Sequence, residues 1–324
     1  MIAIILIAFA AGCASALMFA SMISGALISL LLVNLAPLPL MVAAIGWGPL
    51  CATIGGIGAA TVLGTIFGLP YCITFAIAVA LPAWWLGHLA LLGRPVATDV
   101  SSGNGAGPVA PVLEWYPVGR ILLWISFSAA LTTIVALLTL GTDAVSITNG
   151  LRRGLLMMIG PPDATATGEI EQLVDILVRI MPAGAAIGAM MMLTLNLWLA
   201  AKITATSGRL RRPWPDLKMT ALPPLMLAAL CAAIAFCFAG GLLAILAQII
   251  ASVLMMAYAL TGLAVLHTLT LALKSRALWL GCTYVIVVLF VWPVAAIAAL
   301  GLADAIFGFR QRYLQGRPPP LPAS

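Results

Sequence analysis

Of 324 residues, 64% are hydrophobic and 7% charged, whereas a soluble domain carries roughly 25% charged residues, so a water-soluble fold of this composition would have no surface. The formal charge of +6 does not mark a nucleic-acid binder, because the basic residues sit in short loops between apolar runs. That is the positive-inside pattern, with anionic lipid as the counter-charge and the lipid bilayer as the first partner.

The apolar runs are about 18 to 30 residues long, enough to cross a hydrocarbon core of roughly 30 Å. They predict an all-α, polytopic transmembrane helix bundle. The first run covers residues 2–33 and carries small residues in a row at Ala16, Ala20 and Ser24. It lacks a basic leader and a small-residue cleavage site, so it reads as a retained helix rather than a signal peptide. It exceeds one straight span and must tilt, kink or extend past the bilayer. Asn34-Leu-Ala-Pro-Leu-Pro39 follows. Two prolines remove backbone donors and disfavour helix in the residue before each, so the chain is expected to break here. Residues 40–47 are too short to span alone. They read either as a half-helix or as one arm of a kinked element, and non-helical backbone at membrane depth is tolerated only against protein or a cavity.

Small residues then recur at every fourth position: Gly48, Ala52, Gly56, Ala60, Gly64 and Gly68, with a parallel pair at Gly55 and Ala59. Positions four apart lie almost above one another on a helix, which leaves a groove that another backbone can enter. In lipid, such small-xxx-small rows are a main source of helix association. Because a period of four drifts against 3.6 residues per turn, the row slants and favours crossed partners, more than one of them.

Residues 71–92 form a further segment whose Trp84 and Trp85 read as an interfacial aromatic belt. Residues 93–117 are rich in Gly, Ser and Pro, a flexible polar loop between two halves. The second half, residues 118–302, opens with a span over 118–140 and contains a polar segment at 141–180. Within it, 169–180 has helical amphipathic spacing and is expected to lie on the membrane surface. Pro182 opens a span to residue 201, and the loop with Lys202, Arg209, Arg211, Arg212 and Lys218 is the strongest cytoplasmic anchor. Apolar runs at 221–239, 242–273 and 277–300 precede a basic, Pro-rich tail at 303–324. Charge counting wants that tail inside, while a strict count from the Lys202 loop puts it outside unless 242–273 crosses twice. The count is therefore eight or nine spans.

Chemistry is sparse. Neither Lys202 nor Lys274 follows the glycines of a nucleotide-binding P-loop, and Gly56-x-Gly58 lacks both the third glycine, with Thr61 in its place, and a βαβ setting. The six cysteines all lie in apolar runs without CxxC spacing and read as small core residues. Two histidines give no metal site, and no Ser/His/Asp or paired-carboxylate arrangement is legible, so neither a cofactor nor enzymatic activity is expected. The candidate ligand contacts are polar residues within or beside membrane runs: Asn34, Asn196 and His267. For Asn196 the competing reading is an interhelical hydrogen bond, and for His267 an interfacial position near Lys274.

In their order, Asn34 to Pro39, the small-residue helix, Met181-Pro182, Asn196-Leu-Trp198, Arg212-Pro-Trp-Pro-Asp-Leu217, Leu222-Pro223, Thr261-Gly262-Leu263 and Gly301-Leu-Ala-Asp304 ahead of Phe309-Arg310 resemble the YybS-like bacterial membrane proteins, a domain of unknown function. Residues 1–92 also resemble the substrate-binding S components of energy-coupling-factor transporters, a superfamily likeness that extends to the rod-shape scaffold MreD. The resemblance implies the bacterial inner membrane and a transporter-like subunit binding a small or amphipathic molecule. By the same resemblance Ala16, Ala20 and Ser24 form a docking face for a coupling subunit, with separate ATPases as partners. S components have about six spans and this chain has more, so no vitamin-binding residue carries over. The rival expectation is a non-enzymatic scaffold of a cell-envelope complex, with cell-envelope proteins as partners.

Overall fold

The computed structural model describes residues 2–96, 112–159, 168–217, 220–290 and 292–315. Among them, seven helical segments are long and apolar enough to cross a membrane, and three apolar helices are shorter. The chain is an all-α polytopic bundle. It divides into two compact units, one of Met1–Ala136 and Gly188–Trp214, the other of Leu137–Ile187 and Pro215–Ser324.

The first unit begins with α1 (Ile2–Ala20), a 3-10 turn (Ser21–Ser24), α2 (Leu27–Leu35) and α3 (Pro37–Trp47). The chain turns at Gly25, whose φ of 65° is left-handed, and not at the proline corner. Pro37 opens α3, where a missing N–H removes a donor that would be unpaired in any case. Ala36 stays in the right-handed helical region, so Leu27–Trp47 counts as one span with a notch in it. The break expected at Pro37 and Pro39 is therefore only a notch, and the overlong first run is split nine residues before Asn34.

The small-residue helix is α4 (Pro49–Phe67). A Cβ on Gly12 of α1 would strike the Gly55 carbonyl oxygen, and one on Gly55 would strike the Ala8 carbonyl oxygen. Here backbone meets backbone, which is the use of a residue without a side chain. Gly56 and Gly64 face other partners: added Cβ atoms would lie 3.1 Å from Ala80 Cβ and 2.9 Å from Cys72 Cβ. These belong to the next span, built of α5 (Leu69–Phe75), a π-helical turn (Ala76–Ala80) and α6 (Leu81–Leu91). Ala52 and Ala60 are buried as expected, but Gly48 takes no part in the groove. Nothing lies within 4 Å of a Cβ built there, and its φ of 106° instead sets the turn into α4.

The polar loop is not featureless. Its flanks pair as antiparallel strands, β1 (Gly93–Val96) and β2 (Val112–Trp115), with Arg94 opposite Glu114. Residues 97–111 lie outside the described residues. Next come α7 (Val118–Leu138) and α8 (Ala144–Ile159), and then α9 (Gly168–Thr206) as one helix of 39 residues. The amphipathic segment and the sixth span are thus continuous, with Pro182 inside the helix and not at its start. The first turns of α9 pack against α8 through Leu155, Val174 and Val178, with Arg152 paired to Asp175 at 2.8 Å. Their apolar stripe thus has a protein partner in α8. The C-terminal half of α9 joins the first unit through Met190, Leu193, Asn196, Ala200 and Thr204, a buried stripe at helical spacing.

The second unit continues with α10 (Leu225–Phe236), α11 (Gly241–Leu269), a 3-10 turn (Thr270–Ala272), α12 (Arg276–Leu289), α13 (Pro293–Phe307) and α14 (Phe309–Gln315). A Cβ on Gly262 would strike the Ile297 carbonyl oxygen, and one on Gly301 the Tyr258 carbonyl oxygen. As α11 numbers fall by four, α13 numbers rise by four, so these helices run antiparallel. Below this seam Asp304 is buried, with Oδ1 accepting the Arg310 backbone N–H at 2.8 Å and Oδ2 accepting Nε–H at 2.7 Å. Only Cys51 among the six cysteines is buried, and Cys13, Cys231 and Cys282 are exposed, so they are not uniformly core residues.

Candidate functional site

Of the three candidate ligand contacts, the fold joins two. Asn196 is fully buried, and its Nδ2 donates to the Asn34 backbone carbonyl at 2.8 Å. That carbonyl lies at the helix notch ahead of Pro37, where the regular ladder is interrupted, so the amide clamps α9 to the notch. The Asn34 side chain is exposed and bonds back to the Leu30 carbonyl at 2.6 Å. Asn196 Oδ1 is buried without a partner. The interhelical reading of Asn196 holds on its donor side. His267 belongs to the second unit, where Nδ1 lies 2.9 Å from the Leu263 carbonyl. A carbonyl can only accept, so Nδ1 is the donor in that bond, and Nε2 lies 3.4 Å from the Tyr284 hydroxyl.

The row Ala16, Ala20 and Ser24 is not one helical face. α1 ends at Ala20, and the Ser24 hydroxyl, in the following turn, pairs with the Ser21 carbonyl at 2.8 Å and the Ser29 hydroxyl at 2.7 Å. Ala16 and Ala20 are half-buried; the buried side of α1 is Ala8, Gly12, Ser15 and Phe19.

A cavity of about 370 Å³ opens where the hairpin meets the start of α7, lined by Leu92, Arg94, Glu114, Trp115, Tyr116 and Arg120 among others. It is within the small-ligand range of about 300 to 1,000 Å³. Strand pairing sets Arg94 and Glu114 side by side, and both Nε and Nη2 lie 2.7 Å from Oε2. Gly93 is constrained here, since a Cβ would come within 3.3 Å of Leu113 and 3.4 Å of Trp115. Tyr116 is fixed at both ends: its N–H donates to the Leu92 carbonyl at 2.8 Å, and its hydroxyl accepts from Trp124 Nε1 at 3.3 Å. The Arg120 guanidinium stands 6.0 Å from the Tyr116 ring, at the edge of cation–π range.

Trp124 continues into an aromatic cluster. It meets Trp85 edge-on at 5.0 Å, Trp85 lies 5.5 Å from Trp84, and His88 is 5.9 Å from Trp85 and stacks on Trp84 at 6.4 Å. Trp84 and Trp85 are thus half-buried packing groups, and Trp85 Nε1 is buried with no acceptor. The lining pairs an aromatic wall with two guanidinium groups and one carboxylate, a net positive mouth suited to an anionic or amphipathic molecule. Reading the flanks of residues 93–117 as loop hid this site. The available signal was a pair of short segments, Arg94-Pro-Val96 and Val112-Leu-Glu-Trp115, bearing opposite charges on either side of a Gly/Ser run.

The same end of the first unit is basic. The Arg209 guanidinium lies over the Trp47 ring at 4.6 Å, and Lys202 over Trp214 at 5.5 Å. Burial in this loop pushes the Arg212 guanidinium below its ordinary pKa. No metal-holding group of His, Cys, Asp or Glu occurs among the described residues.

Neither a curated protein nor a solved structure matches the chain. Residues 13–305 match the family described as "Predicted membrane protein (DUF2232)", and the chain belongs to that family.

Proposed function

We propose that this protein is a non-enzymatic, transporter-like subunit of the bacterial inner membrane that binds a small anionic or amphipathic molecule at the hairpin cavity. The observation that carries the reading is the cavity itself, an aromatic-walled pocket with Arg94 and Arg120 at its mouth. Arg120 and Arg94 take the anionic group, Glu114 holds Arg94 in place, and Trp115 and Tyr116 cover the apolar part.

Unit size supports the relation to the S components. Five complete segments plus the C-terminal half of α9 give the first unit six membrane-length pieces, the number in that family. The YybS-like likeness belongs to the same reading. Orientation follows from charge. Consecutive spans alternate in direction, so Arg94, Arg120, Lys202, Arg209, Arg211 and Arg212 fall at one end of this unit, while the turns at residues 21–26 and 68 carry no charge. The positive-inside rule makes the cavity end cytoplasmic, and coupling or ATPase subunits would approach from there.

Native mass spectrometry of the protein extracted from its own host in mild detergent tests this. A bound anionic small molecule or a co-purifying ATPase is expected. An empty protein attached to envelope-synthesis proteins would favour the scaffold reading instead. One observation speaks for that second reading: Met157 and Met158 on α8 are 84% and 83% exposed, and methionine-rich surfaces adapt to partners.

A further inference from the structure

The run at 277–300 is expected to be the last span, yet it is divided into two helices, α12 and α13, each shorter than a membrane-spanning helix. α12 begins with Arg276, whose Nη2 donates to the His267 carbonyl at 3.4 Å, close to the C-terminal end of α11. Two turns later Tyr284 returns to the same residue, with its ring 5.9 Å from the His267 imidazole. Pro293 then opens α13 one turn before Ile297, which abuts Gly262. Because α13 runs antiparallel to α11, it starts from the end at which α11 finishes. Both ends of α12 are therefore held at one end of α11.

α12 is also bare. None of its 14 residues is buried, although the sequence is almost wholly apolar, and Val288 is 82% exposed. A short apolar helix with no buried residue leaves most of its surface to lipid, and one held at both ends at one side of its neighbour suits the interfacial plane. Trp279 and Trp292, both exposed, lie at its two ends as interfacial anchors do.

The charge at its start is one-sided. No Asp or Glu occurs between Asp216 and Asp304, and among the described residues no carboxylate pairs with Lys274 or Arg276. Arg276 Nε is buried with no acceptor. A guanidinium fixed through Nη2, with an unused Nε–H and a lysine two residues away, is a receptor for a phosphate oxygen.

We infer that α12 lies in the membrane plane and that Arg276, with Lys274, holds the phosphate of an anionic phospholipid whose chains run against Leu278 and Trp279. The full-length protein is to be reconstituted in nanodiscs of phosphatidylcholine and phosphatidylglycerol, released gently, and its retained lipids weighed by native mass spectrometry. The wild type retains phosphatidylglycerol in preference to phosphatidylcholine. Arg276→Gln lowers that retention about fivefold, the effect of one basic group near an anionic surface. Lys274→Gln, at an exposed position that the fold does not depend on, lowers it in the same direction but less. Equal retention of both lipids by the wild type, or unchanged phosphatidylglycerol on both variants, overturns the inference. So does complete displacement of the lipid by millimolar inorganic phosphate, which would make this a free-phosphate site.

Discussion

Two glycine seams hold this protein, and they were not equally visible in the sequence. The α1–α4 seam announces itself as a stripe of small residues, yet among the glycines of that stripe it is Gly55 that meets the α1 backbone, at Gly12 and Ala8. Gly56 and Gly64 face the next span, and Gly48 serves the turn. At the α11–α13 seam the closest approaches are made by Gly262 against the Ile297 carbonyl and Gly301 against the Tyr258 carbonyl, followed at one helical turn by the buried Asp304–Arg310 pair. A repeated small residue therefore marks a helix with several neighbours, whereas a single glycine beside a buried ion pair marks one tight crossing.

Mutation should separate the two seams, and the polar lock should respond most. Asp304→Asn takes the carboxylate from the Arg310 guanidinium and backbone N–H, and loss of one partner from a buried pair costs about 3 kcal/mol or more. Thermal unfolding in detergent should fall well below that of the wild type, and an unchanged midpoint would show that the lock is incidental. Gly301→Ala and Gly55→Ala each drive a methyl into a facing carbonyl and should cost about 1 to 3 kcal/mol by overpacking, partly offset by the better helix propensity of alanine. Gly48→Ala is a contrasting control, since its effect comes from the left-handed φ and not from a clash. Asn196→Ala should cost about 1 kcal/mol, because it removes one hydrogen bond but also an unsatisfied buried oxygen.

The smallest effect is a pH dependence at the start of α8. Asp143 accepts from the Ser146 hydroxyl at 2.6 Å and the Ser146 N–H at 2.9 Å, and these bonds hold its carboxyl below the ordinary aspartate range. A depressed folded-state pKa adds stability that is present above the unfolded value and lost as pH falls through the folded one. Stability should thus drop in the acid range below about pH 4, where free aspartate also titrates. Ser146→Ala should flatten that part of the profile, and an identical acid limb in the variant would remove Asp143 from the account.

The all-α bundle and most spans were legible because hydrophobic run length is a strong signal. What eluded the sequence has physical causes. A proline in the first turn of a helix costs little, so Pro37 produced a notch and Gly25 the turn. The run at 277–300 looked like one span because composition does not reveal that Phe290 takes an extended conformation between two helices. Asn196 was visible as a polar residue in an apolar run, but its partner is the backbone of Asn34, 162 positions away. The cavity was missed because strand pairing across a long insertion leaves only four residues on each side.

Whether the hairpin cavity holds an anionic molecule is decided by the small molecules that travel with the protein. The most direct test compares small molecules extracted from matched amounts of folded wild-type protein and an Arg94→Ala, Arg120→Ala double variant, both purified from the native host, by mass spectrometry. An anionic or amphipathic compound should be enriched on the wild type and depleted on the variant. The same compounds at the same occupancy on both proteins would contradict binding at the cavity.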